Sequence, residues 1–417
     1  MTAPKRTVVV GAGVIGLACA DTLRRRGREV VVLDRGEPGA ACSSGNAGWI
    51  TPALSAPIPA PGLTWSSLKW MVSSDSPLYI SPAAAPGLAR WLWRFWRHCN
   101  ARDFERGLHA VAKLNMRTTP LFDQLARDGL EFELHRDGLL FVFRDERYME
   151  ATRAEFEHHR DYGYAMPAPL GGAELKELEP ALNDAARFGY LVGNEYHVRP
   201  ETLAAGYAKR LVTAGVPVRS GVAVTGFRVT NGRVDGVETT EGGMAADEVL
   251  IAAGGWTGEV VAHLGARLPV QAGKGYSITI DGPGAAVRRP LYLGEARIGC
   301  SPFVGGLRFA GTMELSGVNT VLDQRRIGGM RRGIARYLDL PLGPEEGVEW
   351  VGMRPLTPDG LPMLGRVPGF ANAFVATGHA MLGITMAPVT AEVMADIMVD
   401  QLDESTLRAF SPGRFRW

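Results

Sequence analysis

The chain has 417 residues, of which 46% are hydrophobic and 21% are charged. A chain of this length and composition can bury two or three apolar cores, which excludes a small module that depends on disulfides or metals to fold. The 45 basic and 44 acidic residues leave a formal net charge of +1, so there is no overall field to attract nucleic acid or an anionic membrane.

The four cysteines, Cys19, Cys42, Cys99 and Cys300, lie far apart and form no C-x-x-C pair. This spacing argues against an iron–sulfur cluster, a structural zinc site or a disulfide framework. We therefore expect no bound metal, no nucleic-acid partner and a reducing, cytoplasmic environment. No stretch of 18 or more apolar residues predicts a membrane span.

The first predicted elements are a strand, a tight turn, a helix and a second strand. The turn is Gly11-Ala12-Gly13-Val14-Ile15-Gly16, a G-x-G-x-x-G motif, and the second strand, Glu29 to Leu33, is followed by Asp34. Such glycines allow a sharp turn, close approach of the backbone to a pyrophosphate and close helix packing, while the acidic residue binds a ribose hydroxyl. The segment therefore predicts a dinucleotide site. A signal peptide cleaved after Ala20 would destroy it.

After this unit come loops rich in Gly, Ala, Ser and Pro, then a tryptophan-rich helical pattern from Leu63 to about Leu125. Many short strands follow, with a hairpin predicted at Asn231-Gly232. Helices are predicted near Asp323 to Tyr337 and from the last glycine loop to about Leu402. The predicted strands are Leu139 to Phe143, Ala186 to Leu191, Val216 to Val229, Val234 to Thr239, Asp247 to Ala253, Gly275 to Ile280, Leu291 to Leu293, Leu307 to Thr312 and Ala373 to Ala376.

Several segments together resemble the FAD-dependent D-amino acid dehydrogenase and amine oxidoreductase family, within the D-amino acid oxidase-like superfamily. The sharpest are Ser44 to Gly48, Pro57 to Trp70, Lys274 to Ser277, Gly352 to Gly360 and Thr377 to Met386. The resemblance implies an α/β fold with a discontinuous Rossmann-like FAD-binding domain and an inserted α+β substrate-binding cap built on an antiparallel sheet. The implied FAD-binding domain comprises residues 1–62, 195–265 and 350–417, and the cap comprises 63–194 and 266–349.

The resemblance also implies which residues contact FAD. Ser43, Ser44 and Asn46 offer hydroxyl and amide groups beside glycines, although ordinary turn residues would look the same. Val222, in the alternating strand, falls where the family holds adenine with main chain, and a core residue is the alternative. The positive end of the helix after Gly378 suits the anionic edge of a reduced flavin. The residues predicted to contact FAD are Gly11, Gly13, Val14, Ile15, Gly16, Asp34, Arg35, Ser43, Ser44, Asn46, Ala47, Gly48, Val222, Gly254, Gly255, Gly378, Gly383, Ile384 and Thr385.

Arg354 is the strongest candidate for contact with the substrate. An arginine between apolar strand residues and a proline suits a bidentate carboxylate clamp better than a core, and the matching arginine of related amine oxidases holds the substrate carboxylate. A structural ion pair, for instance with Asp359, is the alternative. Tyr276 is a predicted second substrate contact, with a core position as its alternative. His379 either borders the flavin ring or orders its loop.

The resemblance implies oxidative deamination of a D-amino acid. In this hypothesis Arg354 holds the carboxylate, a hydride passes from Cα to flavin N5, the imine is hydrolysed to a 2-oxo acid and ammonia, and a quinone or another acceptor takes the electrons. Related sarcosine oxidases attach FAD through a cysteine at the position of Gly352, so FAD is expected to bind non-covalently.

Two alternatives remain open at this point. One is an O₂-using oxidase of glycine, sarcosine or a secondary amine of the D-proline or hydroxyproline type. The other is a catalytically silent FAD-binding subunit of a heteromeric amine dehydrogenase, against which Arg354 and Tyr276 argue.

The segment Leu88 to Cys99 has the periodicity of an amphipathic helix, which allows two interpretations. The apolar face of the helix packs into the cap, or the helix lies on the inner face of the membrane and gives the protein access to a quinone. The apolar face comprises Leu88, Trp91, Leu92, Phe95, Trp96 and Cys99, and the basic residues Arg90, Arg94 and Arg97 lie elsewhere on the helix.

Overall fold

The computed structural model describes residues 4–62, 78–282, 287–340, 343, 345–402 and 407–415. The start of the tryptophan-rich pattern at Leu63 and most of the Pro57 to Trp70 segment lie outside the described residues. The strands are β1 (Arg6–Val10), β2 (Glu29–Leu33), β3 (Trp49–Ile50), β4 (Leu78–Ile80), β5 (Leu134–His135), β6 (Leu139–Phe143), β7 (Leu170–Gly171), β8 (Phe188–Val192), β9 (Tyr196–Val198), β10 (Val218–Arg219), β11 (Val224–Thr230), β12 (Arg233–Thr239), β13 (Gly242–Ala245), β14 (Glu248–Ile251), β15 (Gln271–Asp281), β16 (Leu291–Leu293), β17 (Ile298–Phe303), β18 (Gly306–Leu315), β19 (Val348–Leu356), β20 (Met363–Arg366) and β21 (Ala373–Thr377).

The helices lie between these strands, some of them in direct succession. They are α1 (Val14–Arg25), α2 (Ala85–His98), α3 (Ala101–Asn115), α4 (Thr118–Arg127), α5 (Glu146–Ala154), α6 (Gly172–Leu178), α7 (Pro200–Thr213), α8 (Thr257–Ala262), α9 (Gln324–Ala335) and α10 (Gly383–Met398). Short 3₁₀ segments cover Pro52–Leu54, Glu155–Tyr162, Gly254–Trp256 and Pro412–Arg414. Within the described residues, no helix has both the length and the apolar character needed to cross a membrane.

A six-stranded sheet holds the glycine motif. Its order is β10-β2-β1-β14-β21-β20, in which the first five strands are parallel and β20 runs antiparallel to β21. The valines of β1 are buried because α1 and α10 pack on one face and α8 with the β11–β12 hairpin packs on the other. The predicted strand–turn–helix–strand unit is confirmed.

Residues 216–239 confirm one prediction and correct another. The hairpin forms at Asn231 and Gly232, whose φ values of 49° and 71° match the left-handed turn that this dipeptide favours. The alternating run before it is two strands, β10 and β11, because the chain leaves the edge of the six-stranded sheet after Arg219 and turns through Gly221. Val222 therefore lies in a turn, where its amide donates to the Asp34 carbonyl oxygen at 2.8 Å.

The second large sheet has nine strands, ordered β19-β15-β18-β17-β16-β6-β8-β7, with β4 added beside β18. Most neighbours are antiparallel, as predicted for the cap, and the pairs β16–β6 and β18–β4 are parallel. Helix α9 covers one face, where Ile327, Met330 and Ile334 are buried against the strands. The sheet therefore has a core of its own.

A small sheet, β3-β9-β5, lies outside both. The residue bounds predicted for the two domains stay a prediction. Strand β19 begins two residues before the predicted boundary at residue 350 and pairs with β15 over Gln271–Thr279. Its membership of the nine-stranded sheet would move that boundary beyond Leu356.

Candidate active site

A cavity of about 1130 Å³ lies between the two large sheets. At one end it is lined by residues that follow the carboxyl ends of β1, β2 and β14, and at the other by residues of β15, β18 and β19. Ligands of open α/β sheets bind at the carboxyl ends of the strands. The volume exceeds the range of about 300–1,000 Å³ that is usual for small ligands, so the cavity can accept a large cofactor together with a substrate.

The three motif glycines have different environments. A Cβ on Gly11, whose φ is +112°, would lie 2.4 Å from the Ala252 carbonyl oxygen, and one on Gly16 would lie 1.9 Å from the Gly11 carbonyl oxygen. These two positions are closed by protein main chain. A Cβ on Gly13 would meet nothing closer than the Ser43 Oγ at 3.4 Å. Gly13 lines the cavity, so its bare backbone is open to a ligand.

The start of α1 carries donors suited to a phosphate. Helix N-termini leave N–H groups without helical partners and carry partial positive charge. Here Gly13, Val14 and Ile15 line the cavity, and the Val14 amide donates to the Ser43 Oγ at 3.0 Å. The Ser43 hydroxyl is thus held at the helix terminus, where sequence analysis expected a phosphate contact.

Asp34 is fixed at the edge of the same cavity. Its Oδ2 accepts from the Ala12 amide at 2.6 Å and its Oδ1 from the Gly36 amide at 2.8 Å. A carboxylate offers about four lone-pair sites, so acceptors remain for a ribose hydroxyl. The neighbouring Arg35 guanidinium stacks 4.4 Å from the Trp256 ring centroid.

Arg354 reaches the other end of the cavity from β19. Its Nη1 donates to the Thr312 carbonyl oxygen at 2.6 Å. Among the described residues, no carboxylate lies within ion-pair distance of the guanidinium, and Asp359 pairs instead with Arg414 at 2.7 and 2.9 Å. The ion pair with Asp359 considered from the sequence is absent. Burial lowers the pKa of Arg354 from its ordinary value.

Two backbone features make room for this guanidinium. A Cβ on Gly275 would lie 2.1 Å from the Arg354 Cζ. Opposite Gly275, the pairing of β15 with β18 is irregular, and Thr312 has a φ of +58°. A β-branched residue is strained in that region, and bulges often re-aim strands beside active sites. The Thr312 carbonyl thereby points at Arg354, and its buried hydroxyl has no partner within the described structure.

Tyr276 is among the residues that line the cavity, but it is buried in the core of the nine-stranded sheet, as the core alternative expected, and its hydroxyl is already engaged. The hydroxyl donates to the Glu314 Oε2 at 2.5 Å, and the Lys274 Nζ lies 2.7 Å from the other carboxylate oxygen. Burial and the Glu314 carboxylate raise the pKa of Tyr276. Burial also acts to raise the pKa of Glu314, but hydrogen bonds led by that from Lys274 outweigh it and hold it below its ordinary value. Tyr276 therefore stays protonated.

His379 is buried just before α10. Its Nε2 lies 3.0 Å from the Thr390 Oγ1, and burial lowers the pKa of the imidazole to about 3. It also lines the cavity. The contact with Thr390 ties the glycine loop to the helix, which is the loop-ordering alternative, and the ring is neutral near pH 7.

Most of the predicted FAD contacts line the cavity, and four do not. The Ser44 hydroxyl turns back to the Ala40 and Ala41 carbonyls, while the Thr385 hydroxyl donates to the Trp49 carbonyl and accepts from the Thr51 amide. Gly16 and Gly378 serve close packing. The predicted contacts that line the cavity are Gly11, Gly13, Val14, Ile15, Asp34, Arg35, Ser43, Asn46, Ala47, Gly48, Val222, Gly254, Gly255, Gly383 and Ile384.

Several aromatic side chains of the cavity wall were not predicted from the sequence, among them Trp256 and Trp350. The Trp350 indole packs between two glycines, since a Cβ on Gly45 or Gly352 would lie 2.1 or 2.0 Å from its ring atoms. Gly352 lies two residues after Trp350, but Gly45 is far from Trp350 in the chain. Only the tertiary structure brings them together.

The glycine turn, the start of α1 and Asp34 offer the groups that a dinucleotide requires, and the long cavity continues from them to the half-buried Arg354. These features fit FAD, and they define a nucleotide-dependent oxidoreductase class. A family model described as FAD dependent oxidoreductase matches residues 6–397. The chain belongs to this family, is an FAD-dependent oxidoreductase and takes FAD as its cofactor.

Two relatives of similar sequence are D-amino acid dehydrogenases. A D-amino acid dehydrogenase of Cereibacter sphaeroides is 34% identical, with 98% of this chain and 96% of that protein covered. One of a Methylobacterium species is 31% identical, with 99% of each covered.

Solved structures share the fold at lower identity. Glycine oxidase from Geobacillus kaustophilus has a TM-score of 0.75 at 24% identity, covering 99% of this chain and 100% of that one. L-proline dehydrogenase from P. horikoshii has a TM-score of 0.73 at 17% identity, covering 100% and 98%. These likenesses concern the fold.

Proposed function

We propose that the chain oxidises the Cα–N bond of a D-amino acid, with the substrate carboxylate bound by Arg354. The observation that carries the proposal is a guanidinium in the cavity wall without an ion-pair partner in the described chain. Burying a cation is costly unless it is paired, and a ligand carboxylate supplies the missing charge. The name of the relatives, D-amino acid dehydrogenase, supports the same substrate class.

The Arg354 side chain is prepared for this role by its neighbours. A guanidinium has five N–H groups, and the Thr312 carbonyl takes one on Nη1. The others can grip both oxygens of a carboxylate in the fork geometry that makes Arg specific for planar anions. Gly275 gives the guanidinium its space. Thr312 and Gly275 act as positioning residues.

The walls near Arg354 bind and orient rather than transfer protons. Tyr276 is held protonated by Glu314, and neutral His379 is bonded to Thr390, so neither is free to act as a base. The substrate amine would bind in its neutral form. FAD, when bound, accepts the hydride from the substrate Cα. Positioning and exclusion of water then supply most of the rate.

The test is anaerobic reduction of the FAD-loaded protein, monitored by flavin absorbance, with D- and L-amino acids, the matching decarboxylated amines and N-methyl amines. Reoxidation with O₂ or a quinone follows. We expect rapid bleaching by D-amino acids, slow or no bleaching by their enantiomers, and slow reaction with decarboxylated amines. Preference for L-amino acids or for amines without a carboxylate would contradict the proposal. Preference for glycine, sarcosine or proline-type amines with fast O₂ reoxidation would favour the oxidase alternative, and no bleaching by any amine would favour the silent subunit.

We further propose that a quinone in the membrane is the electron acceptor and that α2 lies against the bilayer. Leu88 and Trp91 are buried, whereas Trp93 and Trp96 are 54% and 55% exposed. Trp96 also lines the cavity, so the exposed aromatic surface adjoins its wall. Arg97 stacks on Trp93 at 5.0 Å, which places a cation beside the aromatic ring, as in helices that bind anionic membrane surfaces.

Partition with anionic liposomes tests this arrangement. The wild-type protein should bind vesicles and reduce a quinone carried in them, and Trp93→Ser with Trp96→Ser should weaken both activities. Reduction of a water-soluble dye by the double variant should stay unchanged. No vesicle binding by the wild type would remove the proposal and leave α2 as a cap helix.

A further inference from the structure

The small sheet β3-β9-β5 places two histidines side by side. His135 of β5 and His197 of β9 are directly opposed in the antiparallel register. Their rings lie 4.5 Å apart between centroids with an angle of 11° between their planes. His197 is fully buried, while the His135 side chain is 27% exposed. Neither residue lines the cavity between the large sheets.

Hydrogen bonds fix which nitrogen of each ring carries the proton. The His197 Nε2 lies 2.9 Å from the Pro302 carbonyl oxygen, and the His135 Nε2 lies 2.7 Å from the Glu133 Oε1. A carbonyl or a carboxylate oxygen only accepts, so both Nε2 atoms donate. In the neutral rings the lone pair is then on Nδ1.

The three side chains lie close enough to share a ligand. One ring nitrogen of each histidine and a carboxylate oxygen of Asp137 all lie within 4.8 Å of one another, and the Asp137 Oδ2 lies 3.9 Å from the His135 Nδ1. The His197 Nδ1 is buried without any hydrogen-bond partner in the described structure. A buried acceptor left unpaired is destabilising, so the site lacks a positively charged or donating partner.

We propose that His135, His197 and Asp137 bind a divalent transition-metal ion of the Zn²⁺ type. Two imidazole nitrogens and one carboxylate are a ligand set of three that suits Zn²⁺, Co²⁺ or Ni²⁺ and not the oxygen-seeking Ca²⁺ or Mg²⁺. The hydrogen bonds from Nε2 to a carbonyl and a carboxylate are the outer partners that orient metal-binding histidines. Water would complete the coordination, since the Asp137 side chain is 49% exposed.

Binding requires a local rearrangement. A metal lies near the plane of each imidazole that it binds, and two parallel stacked rings cannot share an ion in that way. His197 is fixed by burial, so the part-exposed His135 ring must tilt about its Glu133 contact while Asp137 moves inward. The ion would then join residues 133–137 to β9. It would not take part in the flavin chemistry, because the ligands lie outside the cavity lining.

This site was not predicted from the sequence, for which we expected no bound metal. His135 and Asp137 are two residues apart and His197 lies much further along the chain, so no recognised zinc spacing appears. The pairing of β5 with β9 brings them together.

Equilibrium dialysis of the FAD-loaded, full-length protein against Zn²⁺, with metal analysis after dialysis, tests the proposal. The wild type should retain one ion per chain and unfold at a higher temperature with Zn²⁺ present. His135→Ala and Asp137→Asn change part-exposed side chains and should fold. Both should lose the bound ion and the thermal shift while keeping full absorbance of bound FAD.

Two further variants sharpen the outcome. Glu133→Gln should bind Zn²⁺ about tenfold more weakly, because it removes only an outer partner. His263→Ala, which removes an exposed histidine elsewhere, should bind like the wild type. A wild type that retains no ion, or a His135→Ala protein that retains as much as the wild type, overturns the proposal. If His263→Ala loses as much bound Zn²⁺ as His135→Ala, the binding is unspecific, and this result also overturns the proposal.

Discussion

The two ends of the cavity are built in different ways. At the nucleotide end, the glycine turn and Asp34 come from one short stretch, Gly11 to Asp34, whose residues are placed by a single strand–helix–strand unit. The proposed substrate end joins Gly275, Thr312 and Arg354 from three strands. At the first end the open space lies beside Gly13, which no protein atom fills. At the second, the space beside Gly275 is filled by the Arg354 side chain.

This difference separates two uses of glycine. Gly13 leaves room for a ligand, whereas Gly275 leaves room for the side chain that would bind one. The space for a ligand beside Gly13 can be predicted from a local sequence motif. The space for a side chain beside Gly275 depends on the register of the strands. Substitutions at the two ends should therefore damage different properties, namely affinity for FAD at one end and reaction with the substrate at the other.

Arg354→Gln should have the largest effect. Loss of one partner of a desolvated, hydrogen-bonded charge pair costs about 2–5 kcal/mol, so kcat/KM for carboxylate substrates should fall by about 30- to 5,000-fold in steady-state assays. The absorbance and affinity of FAD should not change, because the residue lies at the other end of the cavity. Arg325→Gln, which removes an arginine with an 81% exposed side chain, is the control. A kcat/KM for Arg354→Lys within about threefold of the wild type would contradict a bidentate role.

Gly13→Ala should weaken FAD binding by roughly 10- to 100-fold, since overpacking typically costs about 1–3 kcal/mol. Stability without FAD should be nearly unchanged, because the nearest atom to the new Cβ is the Ser43 Oγ at 3.4 Å. Titration of the FAD-free protein and its denaturant unfolding measure the two properties. Gly16→Ala is the contrasting variant, since its Cβ would lie 1.9 Å from a main-chain oxygen. If both variants lose stability equally, the distinction between the two glycines is wrong.

Gly275→Ala should lower kcat/KM about tenfold with little loss of stability. The new Cβ would lie 2.1 Å from the Arg354 Cζ, and a flexible side chain can move away where a backbone could not. The guanidinium would then be displaced, whereas the fold of the chain would be kept. Gly193→Ala is the matched control, because a Cβ there meets nothing within 4 Å. An unchanged kcat/KM in Gly275→Ala would show that the position of Arg354 is not critical.

The smallest effect concerns pH and His379. Its folded-state pKa of about 3 lies below the unfolded value of about 6.5, so protonation favours the unfolded chain. The resulting destabilisation is negligible above about pH 7.5, grows as the pH falls from there towards 3, and reaches about 0.8 kcal/mol at pH 6. His379→Asn should remove this component from denaturant unfolding measured between pH 8 and pH 5.5. An identical pH dependence in the variant would contradict the burial of a neutral ring.

The sequence predicted the parts of the site that depend on local order. The glycine spacing with Asp34 after the second strand placed the dinucleotide turn, and the Asn231-Gly232 hairpin formed as expected. Val222 was assigned to a strand because alternation of side chains does not reveal where a chain leaves a sheet edge. Ser44 and Thr385 carry suitable hydroxyls, but their orientation depends on contacts with Ala40 and Trp49 that the sequence does not specify.

By itself the sequence determined the βαβ unit, the family and the presence of an arginine suited to a carboxylate, because each depends on neighbours in the chain. Only the tertiary structure decided that Asp359 belongs to Arg414, that Thr312 and Gly275 hold Arg354, and that His135 meets His197. These contacts join segments far apart in the chain, and where the segments are strands their register is set by the packing of whole sheets. A one-residue change of register would turn each side chain to the opposite face.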